Sequence, residues 1–145
     1  IIKKQELDSL EIKGHLEKVK HNLQFVNDNL GRGYNDWCIT GCYYSMYHSA
    51  LALALSKGYF SKNHDATLCI LIKEFYNKGV NEKDLELFNQ LFISYVDLMI
   101  YVEAKSKIEE ATYSTKYNFT KETVEDLRNK AVQFTNKVQE ILIKL

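Results

Sequence analysis

The sequence contains no proline and only six glycines among its 145 residues. These two residue types most strongly disfavour a helix interior, so their scarcity leaves room for long uninterrupted helices. Leu, Ile, Val, Lys and Glu fill much of the sequence between the glycines. The composition therefore predicts an all-α fold. A chain of this length buries roughly two thirds of its unfolded surface, so we expect one domain over residues 1–145.

An excess of charge is also missing, because 19 acidic residues balance 19 basic ones. The charge of the whole chain therefore gives no reason to expect strong attraction to nucleic acid or to a membrane, and any anion site must be local. No uncharged run reaches the roughly 18 residues that a membrane-spanning helix needs. The apolar run from Ser49 to Leu55 is much shorter. We expect a soluble protein with no membrane partner.

Cysteine is scarce as well, with Cys38, Cys42 and Cys69 as its three occurrences. Their odd number, the lack of CxxC spacing and the absence of a preceding secretory signal favour a reducing, cytoplasmic setting. Cys38 and Cys42 are four residues apart and share a helix face, which is compatible with a metal site. Small cysteines buried in a helical core are the commoner case. We therefore expect no metal and no other cofactor.

Apolar residues that recur every three or four positions predict about five amphipathic helices. Asn35, Asn63, Asn81 and Thr120 are placed to cap the second to fifth of them. The predicted helices span about residues 5–30, 35–57, 63–78, 81–112 and 120–142. In the third helix we expect Leu68, Ile72 and Phe75 to face inward, and we interpret the segment from Tyr113 to Phe119 as a loop. Short connections between the helices suggest an up-and-down bundle.

The second helix contains the block from Tyr43 to Ala50, which reads YYSMYHSA, and Lys57-Gly58 and Ser61-Lys62-Asn63-His64 follow it. In this order and spacing, and with the later stretch from Lys107 to Tyr113, the residues resemble the HEPN (higher eukaryotes and prokaryotes nucleotide-binding) domain. The resemblance implies a small helical domain that usually forms a homodimer. Many such proteins are paired with a minimal nucleotidyltransferase in toxin–antitoxin modules, and many are metal-independent ribonucleases.

The sequence departs from the ribonuclease members of this family at one motif. Those members carry an arginine with four to six residues between it and a following histidine, and the paired motifs meet at a dimer cleft. Here Gly41, Cys42 and Tyr43 occupy the three positions at that spacing before His48, so the arginine is missing. In the later stretch, Lys107 and Thr112 stand where the family often has Arg and Asp.

His48 is the candidate catalytic residue, should the protein be a ribonuclease. Acid–base chemistry on a phosphodiester needs a group that titrates near neutral pH and a fixed cation for the developing charge. His48 supplies the first, and the second helix supplies no cation. Arg32 or Lys62 would have to provide it from elsewhere in the fold. The alternative is a structural histidine, hydrogen-bonded within an aromatic core or a dimer interface.

Aromatic residues on the second helix point to a homodimer. Trp37, Tyr44 and Tyr47 add more aromatic surface than one narrow core stripe buries, and Gly41 would permit close approach of a partner helix. We therefore expect these four residues at a dimer interface.

Lys62, Asn63 and His64 stand at the predicted start of the third helix. Free backbone N–H groups and the helix dipole favour an anion at such a terminus, so a nucleotide or another phosphate is expected to bind there if anywhere. Asp65 in the same turn would oppose a phosphate. The alternative is a capped turn with a solvated lysine and histidine.

Together these features favour a HEPN-like dimeric module that binds a nucleotide or RNA, lacks the ribonuclease arginine and acts with a nucleotidyltransferase-type partner. One alternative is a metal-independent endoribonuclease toxin that uses His48. A further alternative is a structural helical adaptor that binds neither nucleotide nor RNA.

Overall fold

The computed structural model describes residues 3–4, 9–107 and 119–144, with the side chains of residues 3–4 and 101–107 left out of the description. The described residues form five helices and two short strands. The helices are α1 (Ser9–Asn29), α2 (Asn35–Ser56), α3 (His64–Phe75), α4 (Glu82–Lys107) and α5 (Lys121–Lys144), and the strands are β1 (Lys3–Lys4) and β2 (Tyr59–Phe60). The strands pair antiparallel, with Lys3 opposite Phe60. The predicted all-α helical bundle is confirmed.

Three of the four predicted caps form. The Asn63 side chain accepts a hydrogen bond from the Ala66 backbone N–H at 2.8 Å. Asn81 and Asp84 form a reciprocal capping box, with both bonds at 2.9 Å. Thr120 Oγ1 accepts from a backbone N–H in the first turn of α5 at 3.1 Å. Each cap needs only residues within four positions, which is why the sequence predicts it.

The fourth predicted cap, Asn35, is wrong. Tyr34 holds the N-cap position of α2 and makes no side-chain cap bond. The Asn35 amide instead donates to the backbone carbonyl of Phe119, next to the start of α5. A tertiary contact has thus replaced the local one.

The end of α3 also differs from the prediction. The helix stops at Phe75, three residues before the expected Lys78, because the backbone turns extended at Tyr76 and left-handed at Asn77 (φ 60°). Gly58 does follow the end of α2, with a φ of 81° that favours glycine. Three parts of the prediction lie outside the described residues. They are the start of the first helix at residues 5–8, the end of the fourth helix at Thr112 and most of the expected loop.

Helix α2 is the centre of the bundle and contacts each of the other four helices. It is therefore buried on nearly every side, with Cys38, Ile39, Cys42, Met46 and Leu53 all inaccessible to solvent. Helix α5 packs onto it through Val124, Leu127, Ala131, Phe134 and Val138.

In α3 the inward-facing residues differ from those predicted. Phe75 is buried, but Ile72 is 49 % exposed and Leu68 is only partly buried. Ile70 and Leu71 take the inward positions instead. Leu68 still packs against the core, so Ile72 is the one misplaced residue of this prediction, because the apolar pattern of a short helix fits more than one rotation about its axis.

Burial raises the pKa of the Cys42 thiol to about 12, so this cysteine is an inert core residue. Within the described residues, no group of three or more His, Cys, Asp or Glu side chains is placed to hold a metal ion. No described helix is both long and apolar enough to cross a membrane.

Candidate functional site

Helices α1 and α2 pack closely as an antiparallel pair. Gly41 makes this possible, because a Cβ atom at that position would lie 2.7 Å from Cγ2 of Val26 on α1. The same Cβ would lie 3.6 Å from the Phe25 ring, so α1 covers the glycine on that side. The helix that Gly41 admits is therefore α1 of the same chain, which replaces the expectation of a partner helix at this residue.

About two turns of α2 beyond Gly41, His48 meets His15 of α1, a histidine that no sequence motif indicates. The Nδ1 atoms of His15 and His48 are 2.9 Å apart, and the two rings stack with centroids at 5.2 Å and an angle of 28°. Such a contact requires one Nδ1 to carry a proton and the other to accept it. The pair is therefore hydrogen-bonded, and each ring fixes the orientation of the other.

Burial keeps both imidazoles neutral. Burial, together with smaller electrostatic effects of His15 and Lys18, lowers the pKa of His48 to about 4. Burial also lowers the pKa of His15; the carboxylate of Glu11 opposes this and Lys18 reinforces it. A neutral pair that shares one Nδ1 proton has one Nε2–H donor and one bare Nε2 acceptor. Lys18 is thus a cation whose field reaches both rings.

The positions that carry the arginine in ribonuclease members are closed to solvent. Gly41, Cys42 and Tyr43 are all buried. Arg32, one of the two cations proposed from the sequence, lies exposed in the turn before α2. His48 is thirteen residues beyond the start of α2, about 20 Å along the helix axis, so Arg32 does not share its site. The other cation, Lys62, is exposed, with its Nζ 6.0 Å from the centroid of the Phe60 ring.

The second predicted histidine, His64, is a core residue with 5 % of its surface exposed. Its Nε2 donates to Asn89 Oδ1 at 2.8 Å, so the Nδ1 of the neutral ring accepts from the Tyr43 hydroxyl at 3.1 Å. The ring also stacks on Phe92, with centroids 3.9 Å apart and planes 6° apart. Both nitrogens are therefore engaged within the chain.

Of the three residues predicted to bind an anion at the start of α3, Lys62 and Asn63 are at the surface and His64 is not. Asn63 uses its side-chain oxygen to cap the helix. Asp65 places a carboxylate in the first turn. The structure therefore leaves Lys62 as the main cationic group of that predicted site.

Most aromatic side chains of α2 contact other residues of the same chain. The Tyr44 hydroxyl lies 2.7 Å from that of Tyr95 on α4. The Tyr43 ring stacks on those of Tyr47 and Tyr95, at centroid distances of 5.8 and 5.1 Å. Of the four residues predicted at a dimer interface, Trp37 stands out as 54 % exposed.

Exposed aromatic side chains line a groove between the end of α1 and the start of α2, which we call the α1–α2 groove. It consists of two adjoining cavities of about 200 and 340 Å³, both bordered by Phe25 and Trp37. The smaller cavity extends to Gly41 and Tyr44, and the larger reaches Tyr34. A separate, polar cleft of about 490 Å³ lies between α4 and α5, where Lys137 Nζ is 2.8 Å from Asp84.

Comparison with known proteins agrees with this architecture. The family model of the HEPN domain matches residues 12–141. A protein of Methanocaldococcus jannaschii named as a putative toxin is 31 % identical over 140 residues, which cover 97 % of this chain and 84 % of the relative. The chain therefore belongs to the HEPN domain family.

Proposed function

We propose that this chain is the HEPN component of a toxin–antitoxin-type module. In this proposal it is a homodimer that binds a nucleotide or RNA and acts with a nucleotidyltransferase-type partner. Membership of the family and the relative named as a putative toxin support the module. Formation of a homodimer, binding of a nucleotide or RNA, and action with the partner are additional parts of the proposal.

Burial of the three motif positions is the main reason why we propose binding and not cleavage. Gly41, Cys42 and Tyr43 present no cation beside His48, and His48 itself is neutral and hydrogen-bonded to His15. A phosphodiester transition state needs electrostatic stabilisation, and removal of one such group costs about a hundredfold to a thousandfold in rate. We therefore expect binding with little or no cleavage.

A paired binding and cleavage assay tests this proposal. The wild-type protein and His48→Ala are incubated with single-stranded RNA in the presence of EDTA. We expect RNA or nucleotide binding by the wild type and no cleavage that depends on His48. Metal-independent cleavage that disappears in His48→Ala would contradict the binding function.

The proposed dimer is tested at Trp37, the most exposed of the residues predicted at the interface. We expect Trp37→Glu to shift the sedimentation of the protein toward the monomer, because a carboxylate cannot be buried against an apolar partner. Ile143→Glu is the matched control, since Ile143 is also an exposed apolar residue but lies at the end of α5. A monomeric wild type at micromolar concentration, or equal effects of the two changes, would count against this interface.

The proposed partner is tested by co-expression with the nucleotidyltransferase encoded beside this chain, if the neighbouring gene encodes one. A stable complex is expected. A chain that binds neither nucleotide nor RNA and joins no such partner would instead be a structural adaptor.

An endoribonuclease remains the second candidate function, and the His15–His48 pair is the observation that favours it. The bare Nε2 can accept the proton of a 2′-hydroxyl, and transfer of the shared Nδ1 proton then leaves the other ring protonated, so that its Nε2–H can be donated to the leaving 5′-oxygen. Its position near Lys18 would supply a cation from α1 in place of one from α2. The cleavage assay above distinguishes the two functions.

A further inference from the structure

We propose that the cleft between α1 and α5, which we call the α1–α5 cleft, is a phosphate-binding site centred on the guanidinium of Arg128. The cleft has a volume of about 510 Å³ and is lined by Asn27 of α1 and by Arg128, Asn129, Val132 and Gln133 of α5. The inference rests on the proposed binding of a nucleotide or RNA, and it names residues that hold a phosphate of that ligand.

Two neutral amides hold the Arg128 side chain in place. Its Nε–H donates to Oδ1 of Asn129 at 3.0 Å, and its Nη1 donates to Oδ1 of Asn27 on α1. An arginine side chain has five N–H donors, so three of them are left for a ligand. None of the ion pairs that the described residues form includes Arg128. Its positive charge is therefore oriented by the protein but is not neutralised by a carboxylate.

The flanking amides also present donors to a ligand. Because arginine has no acceptor, the amide atom that faces it in Asn27 and in Asn129 must be the oxygen. The NH2 group of each amide is then the end that can meet a ligand. Among the described residues, no acidic side chain lines the cleft. A negatively charged group with several acceptor oxygens therefore matches the α1–α5 cleft.

The polar cleft between α4 and α5 is a poorer phosphate site, although three lysines line it. Asp84 and Glu86 line it as well, and Lys137 pairs with Asp84 at 2.8 Å. Lys130, a second lysine of that cleft, pairs with Asp126 at 3.0 Å. These carboxylates neutralise the lysines and would repel a phosphate. In the α1–α5 cleft, amides take the place of the carboxylates.

The donors of the α1–α5 cleft suit a phosphate better than a carboxylate from a protein partner. A carboxylate has only two oxygens, whereas a phosphate in a nucleotide or in RNA has further oxygens on the phosphorus and the ribose. In protein–DNA complexes, arginine and amide side chains are among the groups that contact phosphate and sugar oxygens. The phosphate can come from a free nucleotide or from RNA, and the experiments distinguish these two sources.

RNA binding is measured at several salt concentrations by the fluorescence anisotropy of a short labelled single strand. Arg128→Ala should weaken binding about tenfold, because charge-assisted hydrogen bonds to a phosphate are lost. Loss of one phosphate contact should also make the plot of log K against log salt less steep, by about 0.7 in slope. Lys73→Ala removes the same charge from an exposed position on α3 and should change neither value.

Asn27→Asp separates ligand binding from any structural role of Arg128. The new carboxylate has nearly the same shape as the amide, so it keeps the contact between α1 and α5 while neutralising the guanidinium. We expect the free energy of unfolding to stay close to that of the wild type and RNA binding to weaken as much as in Arg128→Ala. Asn136→Asp adds the same charge at an exposed position of α5 outside the cleft, and it should leave RNA binding unchanged.

NMR spectra of the backbone amides and of the arginine Nε–H identify the source of the phosphate. Shifts at Arg128 and Gln133 on addition of AMP would assign the site to a nucleotide. Shifts at these residues with RNA but not with AMP would assign it to an RNA phosphodiester. Inorganic phosphate should compete with either ligand at this site.

Three results would overturn the phosphate site. Binding of AMP and RNA that is unchanged in Arg128→Ala and in Asn27→Asp would remove the site and leave the proposed function intact. A wild type that binds neither AMP nor RNA would remove the proposed ligand together with the site. Variants that weaken only a complex with a protein partner would show that the α1–α5 cleft is a protein interface instead.

Discussion

Replacement of Gly41 by alanine tests whether α1 and α2 approach as closely as the structure requires. In an exposed helix the change would stabilise the protein by about 1 kcal/mol, because glycine is the poorer helix former. Here the added Cβ would lie 2.7 Å from Cγ2 of Val26, which is fully buried. Val26 is β-branched and holds one χ1 rotamer in a helix, so it cannot turn away without cost. Overpacking of this kind typically costs about 1–3 kcal/mol.

The two effects oppose each other, and we expect overpacking to win. Gly41→Ala should lower the free energy of unfolding by up to about 2 kcal/mol in a urea denaturation experiment. Gly14→Ala is the matched control, because a Cβ at Gly14 in α1 would meet no atom within 4 Å. That change should instead stabilise by up to about 1 kcal/mol, or raise Tm by a few degrees in a chain of about this size.

A second mutation separates the clash from other causes. Val26→Ala removes the methyl group that the new Cβ would contact, although it costs buried apolar surface on its own. The double variant Gly41→Ala/Val26→Ala should therefore be more stable than the sum of the single effects predicts, with a coupling of about 1 kcal/mol. If Gly41→Ala stabilises as much as Gly14→Ala does, the close approach of the two helices is refuted. Gly41→Arg should be more disruptive still, so a cation cannot be restored to the motif by this route.

Two further predictions concern the histidines. Because the pKa of His48 is lowered from about 6.5 to about 4, the unfolded chain binds more protons between these values, so stability should be complete above about pH 6.5 and fall toward pH 4. NMR titration of His48 should show this low pKa, and His15→Asn should raise it; a His48 pKa near 6.5 in the wild type would contradict the pairing. His64→Ala should destabilise by about 2–4 kcal/mol in chemical denaturation, because it removes a buried ring and the hydrogen-bonding partner of the buried Tyr43 hydroxyl. His21→Ala, at an exposed position, should change stability by less than about 0.5 kcal/mol, and equal effects of the two would argue against the buried placement of His64.

The helices and most of their caps follow from the sequence because they depend on near neighbours in the chain. The stripe from Val124 to Val138 repeats with the helical period, and the Asn81–Asp84 capping box forms within one turn. The block around His48 likewise resembles the HEPN domain without any knowledge of the fold. These features need only the local geometry of an α-helix, which every such sequence shares.

The composition of the candidate site depends on how the helices rotate and pack, which local patterns do not specify. His15 meets His48 across 33 residues of sequence, and no motif around either residue indicates the pair. The sequence does place His15 and Lys18 three residues apart on one face of α1. That spacing indicates a site only once this face is known to pack on α2 beside His48. His64 looked like a surface residue because it follows a lysine and a capping asparagine. It is buried because Phe88 and Phe92 of α4 pack against its ring, an arrangement that only the packing of separate helices establishes.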